Sequence, residues 1–166
     1  MMSLIRELSK ARKTIDVSMY LITNHILIEV LIHMKKFYGV VIRVIIEGCP
    51  RNDEPADDKM SSLERAGIKV KQKKIDADNI NVIGNYRAIM HNKCVLIDRK
   101  VLLTGSFNWT RNAVQVNDEN IIKTGSKQII AQWITKYENM FNAIEHDPLA
   151  SLYQSTKRKV IIRDNY

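Results

Sequence analysis

Residues 89–109 read Ile89-Met90-His91-Asn92-Lys93-Cys94-Val95-Leu96-Ile97-Asp98-Arg99-Lys100-Val101-Leu102-Leu103-Thr104-Gly105-Ser106-Phe107-Asn108-Trp109. Two apolar runs, Ile89 to Ile97 and Val101 to Thr104, flank the polar triplet Asp98-Arg99-Lys100, a turn of hairpin length. Side chains two apart in a strand share a face, so His91 and Lys93 project together. The returning strand carries Ser106 and Asn108, again two apart, back beside them. An imidazole, an ammonium, a hydroxyl and an amide converge. Such a set has little packing purpose, yet it contains what phosphoryl transfer requires: a nucleophile, positive charge and donors for phosphoryl oxygens.

On the N-terminal side, Ser3 to Lys13 reads as helix and Thr14 to Tyr20 as an alternating strand. Asn24 is a helix cap before a segment whose Ile26, Val30, Met34 and Phe37 recur at helical spacing, and Gly39 ends it. Val40 to Glu47 is nearly continuous in β-branched residues, as in a strand buried on both faces, which needs helices above and below the sheet. Asn52 to Asp58 is an acidic loop with a proline; a short helix from Asp57 to Gly67 and a strand near Ile68 to Val70 follow. Lys71 to Arg87 is polar and without period, the length of a functional loop. Beyond the hairpin lie a short strand, Asn120 to Lys123, and a helix capped by Ser126 with one apolar stripe: Ile130, Trp133, Ile134, Tyr137, Met140 and Phe141. The sequence predicts one α/β domain over residues 1–150 and a basic tail over 151–166, with no internal repeat.

The 166 residues suit a single core, and 45 % hydrophobic content with 27 % charged residues excludes a disordered chain. A net charge of +8 points to a polyanionic partner, although charge spread without pattern is equally a property of many basic proteins. Two cysteines, Cys49 and Cys94, are too few for a disulfide framework and suggest a reducing compartment. The four histidines are scattered singly, so neither a metal site nor a cofactor is expected. There is no apolar run long enough to span a bilayer and no signal peptide.

His91-x-Lys93-x4-Asp98 followed after six residues by Gly105-Ser106-x-Asn108 resembles the signature of the phospholipase D, or HKD, superfamily, with every position filled. The resemblance runs from the Ala11-to-Val17 entry through Val41 to Ile46 to the terminal helix, and is strongest to short single-motif members: the bacterial endonuclease and the Zucchini or mitochondrial phospholipase D branch. It implies a three-layer sandwich, a mixed, mostly parallel sheet with helices on both faces. It also implies a homodimer that joins two half-sites across a two-fold axis. One His91 then attacks phosphorus to form a phosphohistidine, and the partner subunit's His91 protonates the leaving oxygen and activates water. Lys93, Ser106 and Asn108 hold the phosphate oxygens; Glu119 falls where the family places an acid on a catalytic imidazole; Asp98 completes the catalytic signature from the turn, where the family suggests a structural contact. Zucchini-type members carry an N-terminal anchor and a small zinc finger. This sequence shows neither; a longer, anchored natural form would face the cytosol from the mitochondrial outer membrane.

The same chemistry serves nucleases and phospholipases. Lys71, Lys73, Lys74, Arg87 and Arg111, with Lys69 and Lys100, are the candidates for a basic groove along single-stranded RNA or DNA, their bland alternative being a solvated face. No interfacial helix is evident, so nucleic acid is preferred to an anionic phospholipid such as cardiolipin, and an inactive binding module is the third reading. Phe107 and Trp109 read as core packing rather than base-stacking platforms.

Overall fold

A computed structural model describes residues 1–47, 56–73 and 89–143, with side chains from Met60 onward in the second stretch. In chain order the elements are α1 (Met2–Leu8), β1 (Thr14–Met19), α2 (His25–Tyr38), β2 (Val41–Glu47), α3 (Ala56–Arg65), β3 (Lys69–Lys73), β4 (Lys93–Ile97), β5 (Val101–Gly105), α4 (Arg111–Gln115), β6 (Ile121–Thr124) and α5 (Lys127–Ala143). The long polar segment after β3, with Cys49, His146 and the basic tail, lies outside the described residues.

The strands form one mixed sheet in the order β3-β2-β1-β4-β5-β6. Among the described strands, the β1–β2 and β2–β3 ladders are parallel, and β1–β4, β4–β5 and β5–β6 are antiparallel. The expected predominance of parallel pairing is therefore corrected. Parallel neighbours come from the α2 and α3 crossovers, whereas a two-residue turn joins only antiparallel ones. Asp98 and Arg99 occupy that turn with φ of 51° and 54°, the left-handed pair that matches strand twist, and Lys100 N–H closes it on Ile97 O at 2.9 Å.

Helices cover both faces. Ile15, Val17, Ile42, Val44, Val95 and Leu103 pack with residues of α1, α2 and α3, while Leu96, Leu102 and Ile45 turn the other way onto Ile130, Tyr137 and Phe141 of α5. Asn24 Oδ1 accepts from Leu27 N–H and Gly39 ends α2 at φ 66°, as the sequence predicts. The buried stripe of α2 is Leu27, Ile28, Leu31 and Met34, however, and Phe37 is 74 % exposed. An alternative apolar spacing one position along won because it fits under the sheet. α1 also stops five residues short of Lys13: the backbone N–H groups of Arg12, Lys13 and Thr14 are claimed by the Asp98 carboxylate at 2.7–3.2 Å instead of by a further helical turn.

Across the α5 face, Arg43 donates to Asp16 at 2.7 Å and to Glu138 at 2.9 Å and 3.0 Å, and Arg99 adds a second guanidinium to Glu138. Its Cζ stands 5.0 Å from the centroids of both Tyr137 and Phe141. Asp16 is 2 % exposed, so this network satisfies a carboxylate that would otherwise be buried alone.

Candidate active site

Parallel strands all end at the same edge of the sheet, and β4 begins there. Lys93 pairs in register with Met19, and Tyr20 N–H continues the pairing by donating to Asn92 O at 2.8 Å. The consequence is that the chain just before β4 is held as extended backbone beside β1. Lys93 is 9 % exposed; its Nζ donates to His91 O at 3.0 Å and lies 4.9 Å from the Tyr20 ring centroid. That ring and the His91 imidazole meet in a T-shaped arrangement with centroids 4.7 Å apart. Desolvation, and secondarily the Lys93 charge, hold the imidazole pKa below its ordinary 6.5. Both effects favour the neutral imidazole, the form a nitrogen nucleophile requires. Burial also lowers the Lys93 pKa from 10.5, against the opposing pull of Glu119 and Cys94.

On the returning strand, Gly105 is required by space as much as by motif. A Cβ there would stand 2.2 Å from Asn120 O, a backbone atom that cannot yield cheaply. This close approach lets Ser106 N–H donate to Asn120 O at 3.2 Å while Asn120 N–H donates back to Ser106 Oγ at 3.1 Å. The Ser106 hydroxyl in turn donates to Glu119 Oε2, and Asn117 Nδ2 donates to Oε1 at 3.0 Å. Those two hydrogen bonds lower the Glu119 pKa, with Lys93 contributing through charge. In the chain taken singly, the Glu119 carboxylate is thus engaged by Ser106 and Asn117 rather than by the imidazole. Asn108 Oδ1 is buried with no hydrogen-bond partner among the described residues, a group whose polarity is not spent on the fold.

The register Cys94↔Thr104, continued along the hairpin, sets Lys93 opposite Gly105 and Asn92 opposite Ser106. His91, Lys93, Ser106, Asn108 and Glu119 accordingly share one end of the sheet. Asp98 does not. It lies at the far end of β4, roughly 16 Å from Lys93 by strand rise, and its carboxylate is occupied by three backbone N–H groups. Burial raises its pKa, but the bonds from Thr14, Lys13 and Arg12 prevail and lower it. Its place in the catalytic set is corrected to that of a clamp.

The basic groove is corrected in part. Lys71 Nζ donates to Phe141 O at 2.8 Å and sits 3.9 Å from the ring centroid of Phe141, against the end of α5. Lys69 and Lys100 begin β3 and precede β5, at the end of the sheet opposite His91. Lys73 closes β3 at the site end and is exposed, and Arg111 opens α4 just after Asn108, its Nε donating to Gln115 at 2.8 Å. Lys74 and Arg87 lie outside the described residues. Phe107 and Trp109 are 8 % and 1 % exposed, core residues as expected.

Sequence reasoning missed three neighbours. Tyr20 lies between the catalytic candidates; its only signal was its position just past β1. Asn117 orients Glu119 from two residues away. Glu47, 6 % exposed at the end of β2, accepts from Met90 N–H at 2.5 Å and so holds the residue before His91; an acid closing an apolar strand was the available clue.

The family profile described as "Cardiolipin synthase, PLD-like domain" matches residues 4–141. A relative named mitochondrial cardiolipin hydrolase, from Chlamydomonas reinhardtii, is 30 % identical over 135 residues, covering 81 % of this chain and 54 % of the relative. The chain spans about half the length of that relative. Among solved structures, NucT from Helicobacter pylori is 25 % identical with a TM-score of 0.71, covering 84 % of this chain and 86 % of its own. Nuc of Salmonella typhimurium, described as a phospholipase D family member, is 20 % identical with a TM-score of 0.72, covering 85 % and 86 %.

Proposed function

The chain belongs to the phospholipase D-like family, and on that premise we propose that it is a metal-independent phosphodiesterase, acting as a homodimer, that cleaves single-stranded nucleic acid. The observation that carries the chemistry is a buried Lys93 ammonium hydrogen-bonded to His91 O at 3.0 Å, beside a His91 ring that packs on Tyr20. The neutral imidazole nitrogen attacks phosphorus; the N–P bond forms as the P–O bond to the leaving group breaks, and the partner subunit's His91 gives that oxygen its proton. Water then adds to phosphorus, losing its proton to the same partner histidine, and the N–P bond breaks. Lys93 holds the non-bridging oxygens while their charge grows, with the Asn108 amide beside it, while the Ser106 hydroxyl, whose one proton goes to Glu119, positions that carboxylate.

Net charge of +8 and the exposed Lys73 and Arg111 at the site end favour nucleic acid. A second reading, hydrolysis of cardiolipin to phosphatidic acid, draws on the relative's name and on the apolar rim: Val116 is 76 % exposed, Ile89 48 % and Ile121 42 %. The test incubates the chain and His91→Asn, in EDTA, with labelled single-stranded RNA, single-stranded DNA, duplex DNA and cardiolipin vesicles. His91-dependent strand cleavage supports the nuclease. Phosphatidic acid release with intact strands replaces it with the lipid hydrolase, and no product from a confirmed dimer leaves a binding module.

A further inference from the structure

At the end of the sheet opposite His91, three segments meet: the last turn of α2, the 11–13 entry to β1 and the Asp98–Lys100 turn. Phe37 is 74 % exposed, Tyr38 55 % and Val41, which opens β2, 54 %. These are not scattered singly. The His33 ring lies 4.6 Å from that of Phe37 and 5.6 Å from that of Tyr38, and Arg12 Cζ stands 5.8 Å from the Tyr38 centroid. Lys13 O accepts from Val41 N–H at 2.9 Å, and Asp98 binds the Arg12 and Lys13 backbone, so the hairpin turn is drawn in beside them. Arg12, Lys13, Lys36 and Lys100 are all exposed. The carboxylate among them, Asp98, is spent on backbone N–H groups.

We propose that this end of the sheet is a second binding site for single-stranded nucleic acid, in which Phe37 and Tyr38 stack on bases while Arg12, Lys13, Lys36 and Lys100 neutralise phosphates. It rests on the nucleic-acid reading of the site around His91. Exposed rings interleaved with cations are what a sequence-tolerant single-strand platform needs, since every base offers a face and every residue of the strand a charge. A membrane-surface element would instead show an apolar stripe beside a polar one. The stripe of α2 is already consumed in the core, and Lys36 is followed directly by Phe37 and Tyr38. The distance also fits a strand. β1 joins the two ends across six residues, roughly 20 Å, which a lipid headgroup cannot bridge and an oligonucleotide can.

The experiment measures binding of fluorescent single-stranded oligonucleotides of about 4 and about 20 residues by anisotropy, using the full chain with His91→Asn to prevent cleavage. Phe37→Ala/Tyr38→Ala is expected to weaken the longer oligonucleotide about 30-fold and leave the salt dependence unchanged. Lys13→Ser/Lys36→Ser/Lys100→Ser is expected to lower the slope of log affinity against log salt by about 2. With His91 restored, both variants should hydrolyse a small chromogenic phosphodiester at the parental rate. Unchanged affinity in both variants, or no oligonucleotide binding at all, overturns the proposal, as does capture of anionic vesicles through these residues without oligonucleotide binding. Should the parent cleave cardiolipin and no strand while the oligonucleotide still binds through these residues, the second site stands and the endonuclease reading alone is lost.

Discussion

One end of the sheet has a lysine 9 % exposed against a ring and a carbonyl; the other has lysines in open solvent beside rings 74 % and 55 % exposed. The ingredients are alike, and burial separates their uses. At the His91 end, desolvation lowers the pKa of the imidazole and of the ammonium alike, and the bond from Lys93 Nζ to His91 O fixes the donor in place. At the Asp98 end, the cations keep their water and can only attract. Net charge therefore pointed to a polyanion without locating a site, because two of the seven groove candidates, Lys69 and Lys100, belong to the end away from His91.

Between the ends lies the Asp16–Arg43–Glu138 network, and the first way to test their separation is to cut it. Arg43→Ala leaves Asp16, 2 % exposed, without its guanidinium. Removing one partner of a buried pair costs about 3–5 kcal/mol. Denaturant unfolding should show this loss, whereas kcat of the surviving folded fraction should stay within a factor of about 3 if the site is held by β1, β4 and Tyr20 alone. A collapse of kcat in fully folded protein would show that the two ends are coupled through the α5 face.

A smaller effect is expected at Asp98. Asp98→Ala deprives three backbone N–H groups of their acceptor and should cost about 2 kcal/mol with kcat little changed; a loss of rate with unaltered stability would return Asp98 to the catalytic set. The sign of its pH dependence is fixed. Its folded pKa is lowered from 3.8, so its contribution is present above that value and disappears as pH falls through the folded pKa. Asp98→Asn should accordingly flatten the acid limb of stability below about pH 4.

The hairpin, the α2 caps and the grouping of His91, Lys93, Ser106 and Asn108 were legible in the sequence because each depends on residues close in sequence and on the period of a strand. What lay hidden depends on sheet order. Asp98 meets Arg12, Lys13 and Thr14 from 84–86 residues away. Lys71 reaches Phe141 across 70 residues. No local pattern announces such partners, and a lysine in a strand looks the same whether it faces water or the end of α5. Phe37 was misread for a related reason: two apolar spacings coexist on α2, and only packing against β1 and β2 decides between them.

The subtlest difference between the ends is the state of the His91 ring. Desolvation acts first on it and the Lys93 charge second, and both favour the neutral form. Following the His91 ring proton by NMR against pH should therefore give a midpoint below 6.5. Lys93→Met removes the charge and retains the apolar stem, so the midpoint should rise toward 6.5 without reaching it, because the larger cause, desolvation, remains. If the proposed homodimer is the working form, kcat/KM of the parent should fall on the acid side through that same midpoint as the nucleophile becomes protonated, and fall again on the alkaline side as the partner subunit's His91 loses the proton assigned to it. In that proposed dimer the two histidines are chemically identical before substrate binds, so the alkaline limb would belong to the pair and both limbs would report macroscopic values. A profile that rises and stays level would mean that no protonated histidine is needed, leaving the lowered pKa of His91 as a property of its surroundings rather than half of a shared acid and base.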